Sequence, residues 1–157
     1  RQVEAQKLTF SMAELLQDGV IKLKPGADEK KLNIIYAPES GTPQVFGDIG
    51  LIERALTNIL ENAISHTPEH GSIKINIAAE NDSLSISISD TGPGIPADDL
   101  PHIFERFYRA DKSRTRSSKS TGLGLAIAKE VVALHGGTIN ALSLPEGGAV
   151  FNLKFPF

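Results

Sequence analysis

Two runs of strict alternation, Ser72–Ala79 and Ser83–Asp90, constrain this 157-residue chain more than any other feature. Ile73, Ile75 and Ile77 fall on one face of the first run, and Leu84, Ile86 and Ile88 on one face of the second. A period of two is the period of an extended strand. Glu80, Asn81 and Asp82 supply a turn between them, so the pair predicts an antiparallel hairpin with one buried side. A sheet with one apolar face needs a second layer to cover it.

The best covering candidate begins near Asp48, the predicted N-cap, and runs to Pro68. At about 100° per residue, Ile52, Leu56, Ile59, Leu60 and Ala63 cluster on one side. Asn58 and Asn62 lie four residues apart on a different face. Asn is a poor helix former, because its amide competes for backbone bonds. Two of them mid-helix form either a solvated face or a pair of amide carbonyls aimed at a ligand or metal.

The rest of the chain fills in both layers. Ser11 and Glu14 match a capping box, and Leu15, Leu16, Val20, Ile21 and Leu23 give the helix that follows an apolar face. Pro25-Gly26 is expected to weaken or end it. Strands are predicted at residues 31–37, 138–144 and 149–155, with a fragment at Val45-Phe46. Residues 97–104 suggest a short helix, 109–121 a polar mobile loop, and 122–134 a helix burying Leu125, Ile127, Ala128, Val131 and Val132. The inventory of about five strands and three main helices predicts an α+β chain folded as a two-layer α/β sandwich. A net charge of -3 gives no general attraction to nucleic acid, and no nucleic-acid partner is expected. The absence of cysteine excludes a disulfide framework and a thiolate metal site. No apolar run approaches the ~18 residues of a membrane span, and no signal peptide is visible. The first residue is Arg1 rather than Met, so the chain is read as a piece of something longer.

Two glycine-rich stretches carry the remaining chemistry. Asp90-Thr-Gly-Pro-Gly94 puts a carboxylate at a strand end, with backbone free to approach closely behind it. Such an acceptor can take a hydrogen bond from an adenine amino group, and the same residues also make an ordinary turn. Thr121-Gly-Leu-Gly-Leu125 sits between a polar loop and a helix start, where N–H groups and the helix dipole favour an anion. It is neither a Walker A loop nor a dinucleotide fingerprint.

In order along the chain, Asn58-x-x-x-Asn62, Asp90-x-Gly-x-Gly94, Ile103-Phe-Glu-Arg-Phe-Tyr-Arg109 and Thr121-Gly-x-Gly-Leu125 resemble the four boxes of the sensor histidine kinase ATP-binding domain. Val132-Ala-Leu-His-Gly-Gly137 approximates a further motif of that family. The resemblance covers residues 9–157 as the catalytic domain. It implies the Bergerat version of the sandwich, with a mainly antiparallel mixed sheet of about five strands, three helices and a mobile ATP lid. Residues 1–8 are then read as the tail of a helical dimerisation and phosphoacceptor domain outside this chain. The resemblance further implies Mg²⁺ on Asn62, phosphate or Mg²⁺-bound water on Asn58, and adenine on Asp90 with Gly92 and Gly94 beside it. His66 would line the nucleotide pocket. Thr121, Gly122, Leu123, Gly124 and Leu125 would form the phosphate-cradling hinge of the lid, and Arg109 would reach the γ-phosphate. The implied partners are the chain's own phosphoacceptor domain and a response regulator. The fragment is expected to be a monomer and its parent a homodimer. The domain would lie in the cytoplasm and the parent would be membrane-anchored.

The sequence departs from the family pattern in one place and decides its chemistry in another. Ser65 stands where a phosphate-binding Lys or Arg is common. The lid could compensate, since residues 106–119 hold six basic residues, Arg106, Arg109, Lys112, Arg114, Arg116 and Lys119, against Asp111 alone; a merely solvated loop is the other reading. In the superfamily's hydrolases the residue at position 58 is a water-activating Glu. An amide cannot take up a proton at neutral pH, so Asn58 is no general base. Glu61 lies about 100° away around the helix from Asn62. None of His66, His70, His102 and His135 sits in a phosphoacceptor context. The expected activity is therefore histidine kinase, with ATP as donor, the acceptor histidine elsewhere, and little turnover by the fragment alone. An anti-sigma-factor serine kinase and a non-enzymatic module of the same fold are the competing readings.

Overall fold

The computed structural model describes residues 6–108 and 123–157. Its strands and helices in chain order are β1 (Leu8–Phe10), α1 (Met12–Glu29), β2 (Asn33–Tyr36), β3 (Val45–Gly47), α2 (Ile49–His66), β4 (Ser72–Glu80), β5 (Ser83–Asp90), α3 (Gly124–Leu134), β6 (Thr138–Ser143) and β7 (Ala149–Pro156). The main sheet has the order β2-β4-β5-β7-β6, with β2 parallel to β4 and every other pair antiparallel. The three helices pack on one face, with α2 between α1 and α3. This is the predicted two-layer sandwich.

The alternating hairpin is its centre. Ile75 pairs with Ile88 and Ile77 with Ile86 across β4 and β5. Ile73, Leu84 and Ile86 are fully buried and meet Leu16, Ile52 and Ile59 from the helices. Each such side chain contributes about 1.5–3 kcal/mol by leaving water. The opposite sheet face carries Lys74, Asn76, Ser87 and Asn152.

Four expectations need correction. Helix α1 continues past Pro25 to Glu29. The proline ring removes the N–H that would bond the carbonyl of Ile21, but this face is exposed and water can serve that carbonyl. Ala27, 1% exposed, anchors the last turn, and its carbonyl accepts from the N–H of Leu32 at 2.9 Å. At the start of the chain, Leu8 belongs to a strand rather than to a helical tail. It opens β1, which pairs with β3 in a separate two-stranded sheet. The fragment at Val45 needs such a partner, and Phe10 buries directly opposite it. Residues 97–104 form only a 3-10 turn at Leu100–His102, since Pro101 has no N–H to bond the carbonyl of Ala97 as an α-helix would require. On α3, Ala126, Ala128, Val131 and Val132 are buried, while Leu125 and Ile127 pack half-exposed at the core margin.

One polar junction ties the helical layer together. The predicted N-cap of α2 is present: Asp48 Oδ1 accepts from the N–H of Leu51 at 3.1 Å. Its Oδ2 accepts from the N–H of Gln6 at 2.7 Å. These bonds, Gln6 first, hold the Asp48 carboxyl below its usual pKa. Their contribution to stability is present above the ordinary carboxylate pKa and is lost as pH falls through the lowered value. The N–H of Asp48 donates to His135 Nε2 at 3.0 Å, and His135 Nδ1 donates to the carbonyl of Val131 at 2.8 Å. A carbonyl can only accept, so the ring proton is fixed on Nδ1. His135 therefore joins the end of α3 to the start of α2, with its ring edge-on to Phe155 at 6.3 Å. His135→Ala strands the Asp48 N–H. It is expected to cost about 1–3 kcal/mol in urea unfolding; a change below about 0.5 kcal/mol would show that the junction is dispensable.

Candidate functional site

The inward-facing set on β5 runs Leu84, Ile86, Ile88 and then Asp90. The register pairs Asp90 with Ile73, so an acid occupies the next position of an apolar pattern. It is 6% exposed. A carboxylate there is costly unless its oxygens are bonded. Oδ1 accepts from the N–H of Gly92 at 2.8 Å. The second oxygen has no partner among the described residues and is not sealed from solvent. It is an acceptor left open to solvent.

The loop after Asp90 is pinned from both sides. Thr91 donates its N–H to the carbonyl of Ser72 at 3.1 Å, and its hydroxyl accepts from the N–H of Ser72 at 2.9 Å. Gly92 lies against the end of α2: a Cβ there would stand 2.5 Å from the carbonyl oxygen of His66. Only glycine permits that approach. The β5 carboxylate is thereby held against the helix bearing the two asparagines.

On α2, Asn58, Asn62 and His66 follow at four-residue intervals, each about 6 Å further along one face. Asn58 Nδ2 donates to the carbonyl of Gly124 at 3.1 Å. That bond fixes the start of α3 against α2 and leaves the Asn58 carbonyl oxygen as an acceptor. Asn62 is half-buried, and its side chain has no hydrogen-bond partner among the described residues. His66 is exposed, and its Nδ1 donates to the backbone carbonyl of Asn62 at 2.8 Å. Thr67, fully buried, closes the helix by donating its hydroxyl to the carbonyl of Ala63 at 2.6 Å.

A cleft of about 490 Å³ opens between the end of α2 and the Asp90 loop, lined among others by Lys30, Ser65, His66, Thr91 and Gly92. No motif in the sequence points to Lys30. Its Nζ donates to the carbonyls of Ile64 at 2.7 Å and Ser65 at 3.2 Å, a cation on the carbonyl end of α2.

The described candidate residues fall mainly into two groups along α2. Asp90, Gly92 and His66 meet at one end, with Asn62 a turn away; Asn58 and Gly124 meet at the other. Leu123 is the N-cap residue of α3, and Leu125 lies in its first turn. Gly94 faces the β6–β7 turn instead, with a φ of +83° and the side chain of Ser143 beside it. Arg109, Thr121 and Gly122 lie outside the described residues. Of the six basic residues counted for the lid, Arg106 is described, and it pairs with Glu130 of α3 at 2.5 Å. Glu61 is exposed. His102 is exposed and pairs with Glu105 at 2.8 Å.

A helix bearing two aligned amides, a near-buried carboxylate with a glycine loop, and a second helix starting at glycine enclose the framework of an ATP-binding domain. The chain belongs to the histidine kinase-, DNA gyrase B- and HSP90-like ATPase family, whose model matches residues 47–157. Within that family it is similar to the ATP-binding domains of sensor histidine kinases. It is 37% identical over 142 residues to the sensor-like histidine kinase SenX3 of Mycolicibacterium smegmatis, covering 90% of this chain and 37% of that protein. It superposes on the catalytic domain of histidine kinase ThkA with a TM-score of 0.84 at 26% identity, covering 98% and 96% of the two chains. Full-length ShkA, solved in complex with AMPPNP, gives a TM-score of 0.86 at 29% identity, covering all of this chain and 32% of that one. The chain thus spans about a third of the length of SenX3 and ShkA.

Asp90→Ala removes the open acceptor and is expected to abolish ATP binding measured by calorimetry, with the fold retained. Unchanged affinity would show that the nucleotide base sits elsewhere.

Proposed function

We propose that this chain is the catalytic domain of a two-component sensor histidine kinase. It presents the γ-phosphoryl group of ATP to a histidine on a helical dimerisation domain outside the chain. The transfer breaks the bond to ADP and forms a bond to an imidazole nitrogen. The observation that carries the reading is Asn58, an amide that holds α3 in place and offers no base to activate water. Phosphoryl transfer rests on positioning and charge neutralisation, so the nucleophile can come from another domain.

In this proposal Asp90 reads adenine, Gly92 and Gly94 shape its loop, and His66 lines the pocket. Asn58 faces the phosphates. Arg109 supplies charge to the γ-phosphate, and Thr121, Gly122, Leu123, Gly124 and Leu125 cradle the phosphates. Mg²⁺ fits the donors present. Asn62 has an unpartnered amide carbonyl, and a hard cation of this kind takes few protein oxygens and completes its shell with phosphate and water. Bound there, Mg²⁺ would neutralise phosphate charge. Among the described residues no cluster of three His, Cys, Asp or Glu offers a competing site.

A response regulator is the proposed downstream partner, supported by the solved complex of ThkA with the response regulator TrrA. The parent protein is proposed to be a membrane-anchored homodimer with this domain in the cytoplasm. No helix among the described residues is long and apolar enough to cross a membrane.

The test is label transfer from γ-labelled ATP. The chain alone should release little phosphate and label nothing. Mixed with the helical domain of its parent, it should produce acid-labile, alkali-stable phosphohistidine. Steady hydrolysis by the chain alone, or phosphoserine on a separate protein, would contradict the proposal.

A further inference from the structure

We infer that Ser143, on edge strand β6, is a positioning residue for nucleotide binding, acting on the loop that follows Asp90. The inference rests on the reading of Asp90 as the adenine acceptor. Ser143 is 48 residues away in sequence from Ile95 yet holds both of its backbone polar groups. Its Oγ accepts from the N–H of Ile95 at 2.7 Å and donates to the carbonyl of Ile95 at 2.9 Å.

Thr91 pins the start of the loop to Ser72, and beyond it the anchors are few. From Gly92 to Pro96, Pro93 and Pro96 carry no N–H, which leaves Gly92, Gly94 and Ile95 as backbone donors. The N–H of Gly92 bonds the Asp90 carboxylate and that of Ile95 bonds Ser143. Without Ser143, the one backbone N–H bond given for the Gly92–Ile95 stretch is that of Gly92 to the Asp90 carboxylate itself, the group that must meet the ligand.

The β6–β7 turn fits this role along its whole length. A Cβ on Gly94 would lie 2.8 Å from Ser143 Oγ and 3.0 Å from the carbonyl oxygen of Gly148. A Cβ on Gly148 would lie 2.0 Å from the carbonyl oxygen of Asp90. Gly94 and Gly148 both have positive φ, +83° and +89°, so the two turns interlock in conformations that favour glycine. The turn itself is closed by the N–H of Leu144 on the carbonyl of Gly148 at 2.9 Å. A hairpin turn remote in sequence thus forms the outer support of the Asp90 loop.

The test compares Ser143→Ala, Ser143→Thr and Asp90→Ala in calorimetric titrations with Mg²⁺–ATP, alongside amide hydrogen exchange without nucleotide. Ser143→Ala should weaken ATP binding about tenfold, the scale set by losing one or two hydrogen bonds. Exchange should accelerate at Ile95 but not at Ile86 or Phe151 in the central strands. Ser143→Thr keeps the hydroxyl and should restore most of the affinity. Unchanged affinity in Ser143→Ala, or a loss accompanied by faster exchange across the whole sheet, would overturn the inference. If Asp90→Ala also bound ATP normally, the adenine reading itself would fall; if Asp90→Ala lost binding while Ser143→Ala kept it, only the positioning role would.

Discussion

A carboxylate on the apolar face of a sheet is the constraint on which this structure turns. Asp90 continues the inward series of β5, where every preceding member is a buried aliphatic side chain. Burying an acid there is tolerable only if its oxygens find donors. The fold supplies one, the N–H of Gly92, and leaves the other oxygen open. That arrangement then dictates the surroundings. Gly92 must be glycine because the loop lies on the carbonyl end of α2. Gly148 must be glycine because the β6–β7 turn lies on Asp90 itself.

Helix α2 joins the two ends of the site. Its apolar stripe, Ile52, Leu56, Ile59 and Ala63, binds it to the sheet and sets its rotation. With rotation set, Asn58, Asn62 and His66 fall in line on another face. Asn58 then spends its amide nitrogen on Gly124, placing the start of α3 against α2. A glutamate in that position would bring a carboxylate able to accept a proton from water. The amide brings none, which is the ground for proposing transfer to a histidine rather than hydrolysis.

What the sequence revealed was local and periodic. The hairpin was legible from Ile73 to Ile88 because period two admits few alternatives. The Asp48 cap and the apolar stripe of α2 were legible for the same reason. The candidate pocket was legible as separate motifs, through the kinds of residue each contains. What stayed hidden was long-range. Nothing in residues 1–8 shows that Leu8 pairs with Gly47, because an edge strand of three residues has too few side chains to display a pattern. Pro25 was expected to weaken or end α1, and only the burial of Ala27 beyond it shows why the helix goes on. Lys30 and Ser143 carried no motif at all. Their roles depend on meeting Ser65 and Ile95, which only the fold brings near.

The central claim is that Asn58, Asn62 and Asp90, separated in sequence, surround one metal–nucleotide complex. Nuclear magnetic resonance with ATP and Mn²⁺ in place of Mg²⁺ tests it most directly, because the paramagnetic ion broadens the signals nearest to it. The strongest broadening should fall on the amide groups of Asn62 and Asn58. Asp90 and Gly92 should shift with nucleotide alone and broaden less. Broadening centred on surface acids such as Asp98 and Asp99, with α2 untouched, would contradict the placement of the metal and with it the shared site.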